Sequence, residues 1–355
     1  MEYSIKEQEI RNACNQFLPD KDVQSYRPIE TGHINHTYQV TLSDGGNISH
    51  YLLQNLNTNV FTRPEVVTHN IVRCATFLKN KCPDYPYEIL TPLATKGDER
   101  YLLKEGQRAW RMFDFISDAK SLDQISTADE ASKIGKAFGV FLSYINNDDP
   151  EKYQITIPDF HNFTKRYRAF KNYLARLGEI KDEKVTYLIS RIDHYAYQFL
   201  ELEQMEFPSR IIHHDTKANN VLLDKKTGHP KCIIDLDTLM PGDIFSDFGD
   251  LMRTVLNPYE EDKFPENGNL IEDQITSSLI SGFLSPLNEI LRNNEKEYLI
   301  TGGKKITLLQ VLRFLEDHLK GDVYYQIEYI GHNLDRALSQ MFLYESMEQS
   351  GIAIS

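Results

Sequence analysis

The stretch RIIHHDTKANNVLLD, residues 210–224, gathers two histidines, an aspartate, a lysine and two asparagines between apolar runs. Asp215 and Asn220 are five residues apart, Lys217 lies between them, and Asp235 ends the later run CIID. These residue types suit transfer of a γ-phosphoryl group. That reaction needs an acceptor hydroxyl held in line, a divalent cation bridging the phosphates, and positive charge where the transition state spreads negative charge. Asp215 can accept the hydroxyl proton, Asn220 and Asp235 offer hard oxygen ligands to Mg²⁺, and Lys217 can neutralise the moving group. Each residue alone has a plainer reading, since an Asp opening a loop makes an Asx turn and a lone Lys is a solvated charge. The combination is rarer. H-x-D-x-K-x-x-N arises by accident on the order of a few times per thousand chains of this length, before the later Ile-Ile-Asp is required.

The surrounding elements must position that loop. Residues 221–223 and 232–234 flank the turn DKKTGHP and predict a short hairpin. Nearer the N-terminus, after a first helix, HTYQVTLSDGGNISHYLLQNL alternates apolar and polar residues on both sides of SDGG, which predicts a β-hairpin with an Asp-Gly turn. In TRPEVVTHNIVRCATFLKN, Thr62 is the expected cap, Pro64 fits the first turn, and Val67, Ile71, Ala75 and Leu78 recur at helical spacing. Further strands are expected near 87–90, 100–103 and 109–115. From Ser117 onward the pattern turns to long helices. The first, TADEASKIGKAFGVFLSYINN, has a capping box of Thr127 and Glu130 and an apolar stripe of Ile134, Phe138, Phe141 and Ile145. Others are expected over 160–177, 185–202, 271–291, 307–319 and 324–348. The fold class is therefore α+β, with a sheet-rich part at 1–116, a helical part at 117–355 and a polar hairpin set among the helices.

Composition narrows the function. The 355 residues are 41% hydrophobic and 26% charged, an ordinary globular balance with ample material for two lobes. No run approaches the roughly 18 apolar residues of a membrane span, and the start MEYSIKEQEIRN is acidic where a signal peptide is basic and then apolar, so a cytoplasmic protein is expected. Four cysteines show no CxxC pair, which predicts reduced, buried thiols. A net charge of -13 argues against a nucleic-acid surface and for a small-molecule partner. An acidic protein that handles an anionic nucleotide needs divalent cations and a few local basic groups.

The loop motif, the strand-ending IID and the following PGDIFSDFGDLMR resemble the aminoglycoside phosphotransferase and choline kinase group, relatives of the protein kinases. Longer segments are similar to the N-acetylhexosamine 1-kinase branch: ETGHINHTYQV (30–40), YLLQNLNTNVFTRPEVVTHNI (51–71), WRMFDFI (110–116), HHDTKANNVLLD, IIDLDTLMPGDIFSDFGDLMR and RFLEDHLKGDVYYQIEY (313–329). The resemblance implies a protein-kinase-like two-lobed fold. Residues 1–116 would form an antiparallel-sheet lobe that binds ATP, and 117–355 a mostly helical catalytic and substrate-binding lobe carrying the catalytic hairpin. It makes Asp215 the catalytic base, Lys217 a phosphate neighbour, and Asn220 and Asp235 the Mg²⁺ ligands. Asp237 becomes a further metal-site group or a solvent-facing strand residue. Asp247 and Asp250 cap the following helix and brace the loop.

The same resemblance places TGHINHTY over phosphates or sugar, with Gly32 on the nucleotide. His33 and Asn35 then contact the acceptor sugar or only form the turn. Met112, Phe113, Asp114 and Phe115 lie where the backbone would pair with the adenine edge, although an ordinary buried edge strand predicts the same alternation. Arg313 and Tyr324 resemble residues lining the sugar site, with a surface arginine and a core tyrosine as the alternatives. One departure concerns the third strand, where protein kinases carry a lysine that holds phosphates and this chain has Gln54. Neutralisation would then fall on Mg²⁺, Lys217 and Arg63 or Arg73. The activity implied is ATP-dependent phosphorylation of the anomeric hydroxyl of an N-acetylhexosamine. A kinase for choline, homoserine or an aminoglycoside is the runner-up. A regulatory pseudokinase is disfavoured because Asp215, Lys217, Asn220 and Asp235 are all present.

Overall fold

The computed structural model describes residues 5–29, 34–97, 99–265 and 270–353. In chain order its elements are α1 (Glu7–Phe17), β1 (Asp22–Ile29), β2 (His36–Asp44), β3 (Asn47–Asn55), α2 (Pro64–Lys81), β4 (Pro92–Leu93), β5 (Leu103–Glu105), β6 (Arg108–Asp114) and β7 (Ala119–Lys120). They continue with α3 (Ala128–Ile145), α4 (Phe163–Leu174), α5 (Glu183–Leu202), β8 (Arg210–Ile212), β9 (Val221–Asp224), β10 (Pro230–Ile233), β11 (Met240–Gly242), α6 (Ile244–Val255), α7 (Asp273–Leu284), α8 (Asn293–Leu319) and α9 (His332–Gln349). Two compact units result. The first holds 1–120, 147–157 and 223–240, and the second 121–146, 158–222 and 241–355. The division after Lys120 lies four residues beyond the 116/117 boundary expected from the sequence, because β7 pairs with β9 of the hairpin through Ala119↔Asp224 and Lys120↔Leu223.

In the first unit a six-stranded antiparallel sheet runs β1-β2-β3-β6-β4, with β5 also on β6. The β2–β3 hairpin closes at Asp44↔Asn47, and Gly45 and Gly46 both take positive φ (54° and 94°). Its two-residue turn is therefore Gly-Gly, with Asp44 the last strand residue rather than a turn residue, because a tight hairpin turn of this kind needs positive φ at both central positions. Strand alternation gives the sheet two different faces. Val40, Leu42, Leu53, Trp110 and Met112 pack on Ile10, Ala13, Cys14 and Phe17 of α1. On the other face Thr37, Gln54 and Arg111 stand side by side across three strands.

Helix α2 begins as expected at Pro64, but Thr62 is not its cap. Arg63 holds the N-cap position without a side-chain cap bond, since proline at the first helical position fixes the residue before it as the cap. The strand expected at 87–90 reduces to one bridge, Glu88↔Cys232, and the one at 100–103 is displaced to Leu103–Glu105. The four cysteines are buried and unpaired.

The second unit is helical. Thr127 Oγ1 accepts from Glu130 N at 3.2 Å while the Glu130 carboxylate accepts from Thr127 N at 3.2 Å, the capping box that the sequence predicts for α3. Ile134, Phe138, Phe141 and Ile145 are buried along that helix. Helix α8 starts at Asn293, well before the expected 307, because Gly302 and Gly303 do not break it. A Cβ at Gly302 would lie 2.3 Å from the Phe245 ring, so glycine here permits close approach of α6. Conversely, the expected helix over 324–348 begins only at His332. Before it, Asp317 accepts backbone N–H groups from Val323, Tyr324 and Tyr325 at 2.9–3.1 Å, holding that stretch as a loop. Among the described residues no helix is long and apolar enough to cross a membrane.

Candidate active site

The loop that carries Asp215 hangs from β8, which Asn146 fixes by exchanging two 2.9 Å hydrogen bonds with the backbone of Ile211. At the strand's start, Arg210 pairs with the buried Glu295 of α8 at 2.5 and 2.6 Å. The chain then turns sharply at His214 (φ 63°), a left-handed conformation that a non-glycine residue adopts only when its surroundings enforce it. Asp247 of α6 supplies that force. Its carboxylate accepts the N–H groups of His213 at 2.8 Å and His214 at 2.6 Å, and its backbone oxygen accepts from Thr216 Oγ1 at 2.5 Å. Burial pushes the Asp247 carboxyl up to about 6 despite these donors. The brace read from the sequence is thus Asp247, whereas the cap of α6 is Asp243, accepting from Ser246 N at 3.0 Å. Gly242 completes the support: a Cβ there would lie 2.7 Å from His214 Nε2.

Three of the residues singled out by the motif meet in this loop. Lys217 Nζ lies 2.8 Å from Asp215 Oδ1, and Asn220 Nδ2 donates to Asp215 Oδ2 at 3.2 Å and to its backbone oxygen at 2.8 Å. Burial would raise the Asp215 carboxyl, but the Lys217 charge and hydrogen bond, with help from His213 and Asn220, hold it below its ordinary value. Lys217 is correspondingly raised by Asp215, so both stay charged. The result is an ionised carboxylate of low basicity beside a cation. Because both bonds from Asn220 use its amide nitrogen, its Oδ1 remains an acceptor of the kind a hard cation takes.

In the first unit, Asp235 follows β10 with φ 60° and opens a short 3-10 turn, Leu236–Thr238. Asn70 of α2 secures the far end of that turn, donating to Leu239 O at 2.8 Å and Gln154 O at 2.7 Å. Asp237 secures its middle. Its Oδ1 accepts from Arg111 Nη2 at 2.5 Å and its Oδ2 from Asn35 Nδ2 at 2.6 Å. The two residues read from the sequence as sugar contact and metal ligand, Asn35 and Asp237, thus bond to each other, and Asp237 is 3% exposed rather than solvent-facing.

The remaining residues fall in separate places. Gly32 and His33 lie outside the described residues. Met112 points into the α1 core, Phe113 is buried, Asp114 is exposed at the end of β6, and Phe115 sits with its ring 6.3 Å from that of His50. Met112 thus offers only its backbone to a ligand. Arg63 reaches Gln154 at 3.2 Å and Arg73 pairs with Asp148 at 2.6 Å, so both tie 147–157 to α2. Arg313 lies over the rings of Phe160 and Tyr325, 5.6 Å from each centroid, with Gln310 Oε1 at 3.3 Å. Tyr324 is 63% exposed, with its ring packed T-shaped on Tyr325, and Tyr325 is the tyrosine against Arg313. Phe160 and His161, which the sequence reading passed over, join this group to the loop. Their rings lie 6.2 and 5.5 Å from that of His214.

A short antiparallel sheet unit, a helical unit and a loop joining carboxylate, lysine and amide define a protein-kinase-like two-lobed fold built for phosphoryl transfer. Residues 25–267 match the phosphotransferase enzyme family, and the chain belongs to it. It is an ATP-dependent phosphotransferase with an alcohol acceptor. Solved structures agree on the fold. An aminopropanol kinase associated with a microcompartment has a TM-score of 0.66 at 18% identity, over 96% of this chain and 98% of that one. The choline kinase of Cryptosporidium parvum gives 0.61 at 13% over 98% and 97%. A spectinomycin phosphotransferase in complex with ADP and spectinomycin gives 0.59 at 15% over 97% and 95%.

Proposed function

We propose that the protein phosphorylates the anomeric C1 hydroxyl of an N-acetylhexosamine, N-acetylglucosamine or N-acetylgalactosamine, with ATP as donor. The observation that carries this choice among small alcohols is the setting of Arg313. Its guanidinium lies over two aromatic rings, one of which is 6.2 Å, centroid to centroid, from His214 beside Asp215, and its hydrogen-bond partner Gln310 is neutral. Neighbouring carboxylates are committed elsewhere: Glu316 to Lys320 at 2.7 Å and to Arg166 at 3.8 Å, Asp317 to backbone N–H groups. Burial, aided by His214, Arg313, Lys305 and Arg253, holds His161 well below its ordinary value, so it is neutral. Such a place repels a quaternary ammonium or a polyamine and suits a neutral, hydroxyl-rich ring, which an arginine can grip by two hydroxyls and an aromatic face can support. The resemblance of the long segments to the N-acetylhexosamine 1-kinases supports the same acceptor.

The acceptor hydroxyl would donate to the Asp215 carboxylate as its oxygen attacks the γ-phosphorus. The new O–P bond forms while the bond from that phosphorus to the β–γ bridging oxygen breaks, and the proton passes to Asp215. A weak base is sufficient, because an anomeric hydroxyl is more acidic than an ordinary alcohol and proton removal follows phosphorus–oxygen bond making. Lys217 shields the moving charge. Mg²⁺, when bound, would supply further positive charge to the phosphates. Asn220 Oδ1 would be one of its ligands, and the family resemblance assigns the Asp235 carboxylate the same role. Among the described residues no group of three or more His, Cys, Asp or Glu could hold a metal alone. Mg²⁺ takes one or two carboxylates plus substrate phosphates and water. Asp237, with both oxygens engaged by Arg111 and Asn35, is left out of that set.

Arg313→Ala tests the acceptor assignment. KM for N-acetylhexosamine should rise about tenfold or more while KM for ATP stays within about twofold. An unchanged sugar KM removes Arg313 from the acceptor site.

A further inference from the structure

Gln54 occupies the third-strand position where a phosphate-holding lysine was sought, and the structure shows what stands beside it. Arg111 of β6 is its cross-strand partner, on the sheet face opposite α1. Gln54 Nε2 donates to Thr37 Oγ1 at 3.1 Å, which turns its Oε1 toward Arg111 Nε at 2.9 Å. Nη2 of the same guanidinium bonds Asp237. Asp237 is steadied in turn by Asn35, which accepts from Asn57 N at 3.0 Å. Arg111 is 2% exposed, its cation lies 5.2 Å from the Phe113 ring centroid, and Nη1 is enclosed with no hydrogen-bond partner. Replacing a buried Arg–Asp pair by apolar residues is often neutral or stabilising, and leaving a donor of that pair unsatisfied adds to its cost. A buried pair of this kind is by itself weak evidence of a stabilising role.

We propose that Arg111 is the cation that receives the nucleotide's α- and β-phosphates, in place of the missing lysine, and that Asp237 is the carboxylate that holds it rather than a metal ligand. Two of the guanidinium nitrogens are fixed by Gln54 and Asp237, and the third, Nη1, has two N–H donors left for a phosphate oxygen. Charge-assisted bonds of this geometry are short and strong. Arg63 and Arg73 are engaged with Gln154 and Asp148. The inference rests on ATP as donor and is independent of the acceptor.

The test is binding of ADP and of adenosine to the full chain, by titration calorimetry in excess chelator, so that neither metal nor acceptor contributes. Arg111→Gln combined with Asp237→Asn keeps a neutral hydrogen-bonded pair in place of the ion pair, and melting temperature checks its fold. ADP affinity should fall about tenfold or more, with adenosine affinity within about twofold of wild type. Arg111→Lys, which keeps a charge for Asp237 but lacks Nη1, should move ADP affinity the same way and serves if the double variant does not fold. An ADP-to-adenosine affinity ratio equal to wild type in the folded variant overturns the proposal. So does a wild-type ratio near one, because the phosphates would then add nothing.

Discussion

Nζ of Lys217 stands 2.8 Å from Oδ1 of Asp215, and Nδ2 of Asn220 approaches the other carboxylate oxygen at 3.2 Å. Both neighbours favour the ionised carboxylate, outweighing the burial that opposes it. Asp215→Asn should preserve fold and ADP binding and lower kcat about 10²–10⁴-fold, because an amide cannot take the proton. Lys217→Met should act on the pH profile. With the lysine gone, the largest influence opposing burial is lost while His213 and Asn220 remain, so the acid limb of kcat should move to higher pH than in wild type. Rates measured from pH 5 to 9 check this, and an unmoved limb would separate Lys217 from the ionisation of Asp215.

Asp247 makes a second, independent prediction. Asp247→Asn leaves at least one of the His213 and His214 N–H groups without an acceptor, at about 1–3 kcal/mol, and loosens the turn that presents Asp215. Turnover should fall while KM for ATP changes little. Because burial lifts the folded carboxyl to about 6, well above the ordinary carboxylate range, the folded chain binds more protons than the unfolded one between about pH 4 and 6. The stability advantage of wild type over the variant should therefore shrink as pH rises through that window and level off above it. Melting temperatures of both proteins from pH 4 to 8 read this directly.

A third prediction concerns the metal. Excess chelator should abolish turnover, and Mg²⁺ or Mn²⁺ should restore it where Zn²⁺ does not, since the proposed ligands are an amide oxygen and a carboxylate. The cysteines do not compete, being buried, with Cys14 and Cys232 pushed up to about 12 by burial. Restoration by Zn²⁺ alone would point to a different ligand set.

How much of this was legible in the sequence follows from how its chemistry is spread. Asp215, Lys217 and Asn220 lie within one short loop, so their spacing alone announces their meeting. The helices of the second unit were visible from apolar period and caps, as at Thr127 and Glu130. What stayed hidden depends on distant pairing. Asp247 is 33 residues from His214, and Arg111 is 126 residues from Asp237. Nothing local in WRMFDFI marks Arg111 as buried, because only the register of β6 against β3 turns it to the face away from α1. Helix α8 runs through Gly302 and Gly303, and only the packing of α6 against them shows why glycine stands there.

The position of the phosphate on the product tests the central claim most directly. The protein should be incubated with ATP, Mg²⁺ and, separately, N-acetylglucosamine, N-acetylgalactosamine, choline, ethanolamine, homoserine and an aminoglycoside, and each product read by phosphorus and proton NMR. A phosphorus signal coupled to the anomeric proton of an N-acetylhexosamine, with little or no transfer to the cationic alcohols, is the predicted result. Phosphate on choline, homoserine, an aminoglycoside or the C6 oxygen of a sugar, with no hexosamine 1-phosphate, would contradict it.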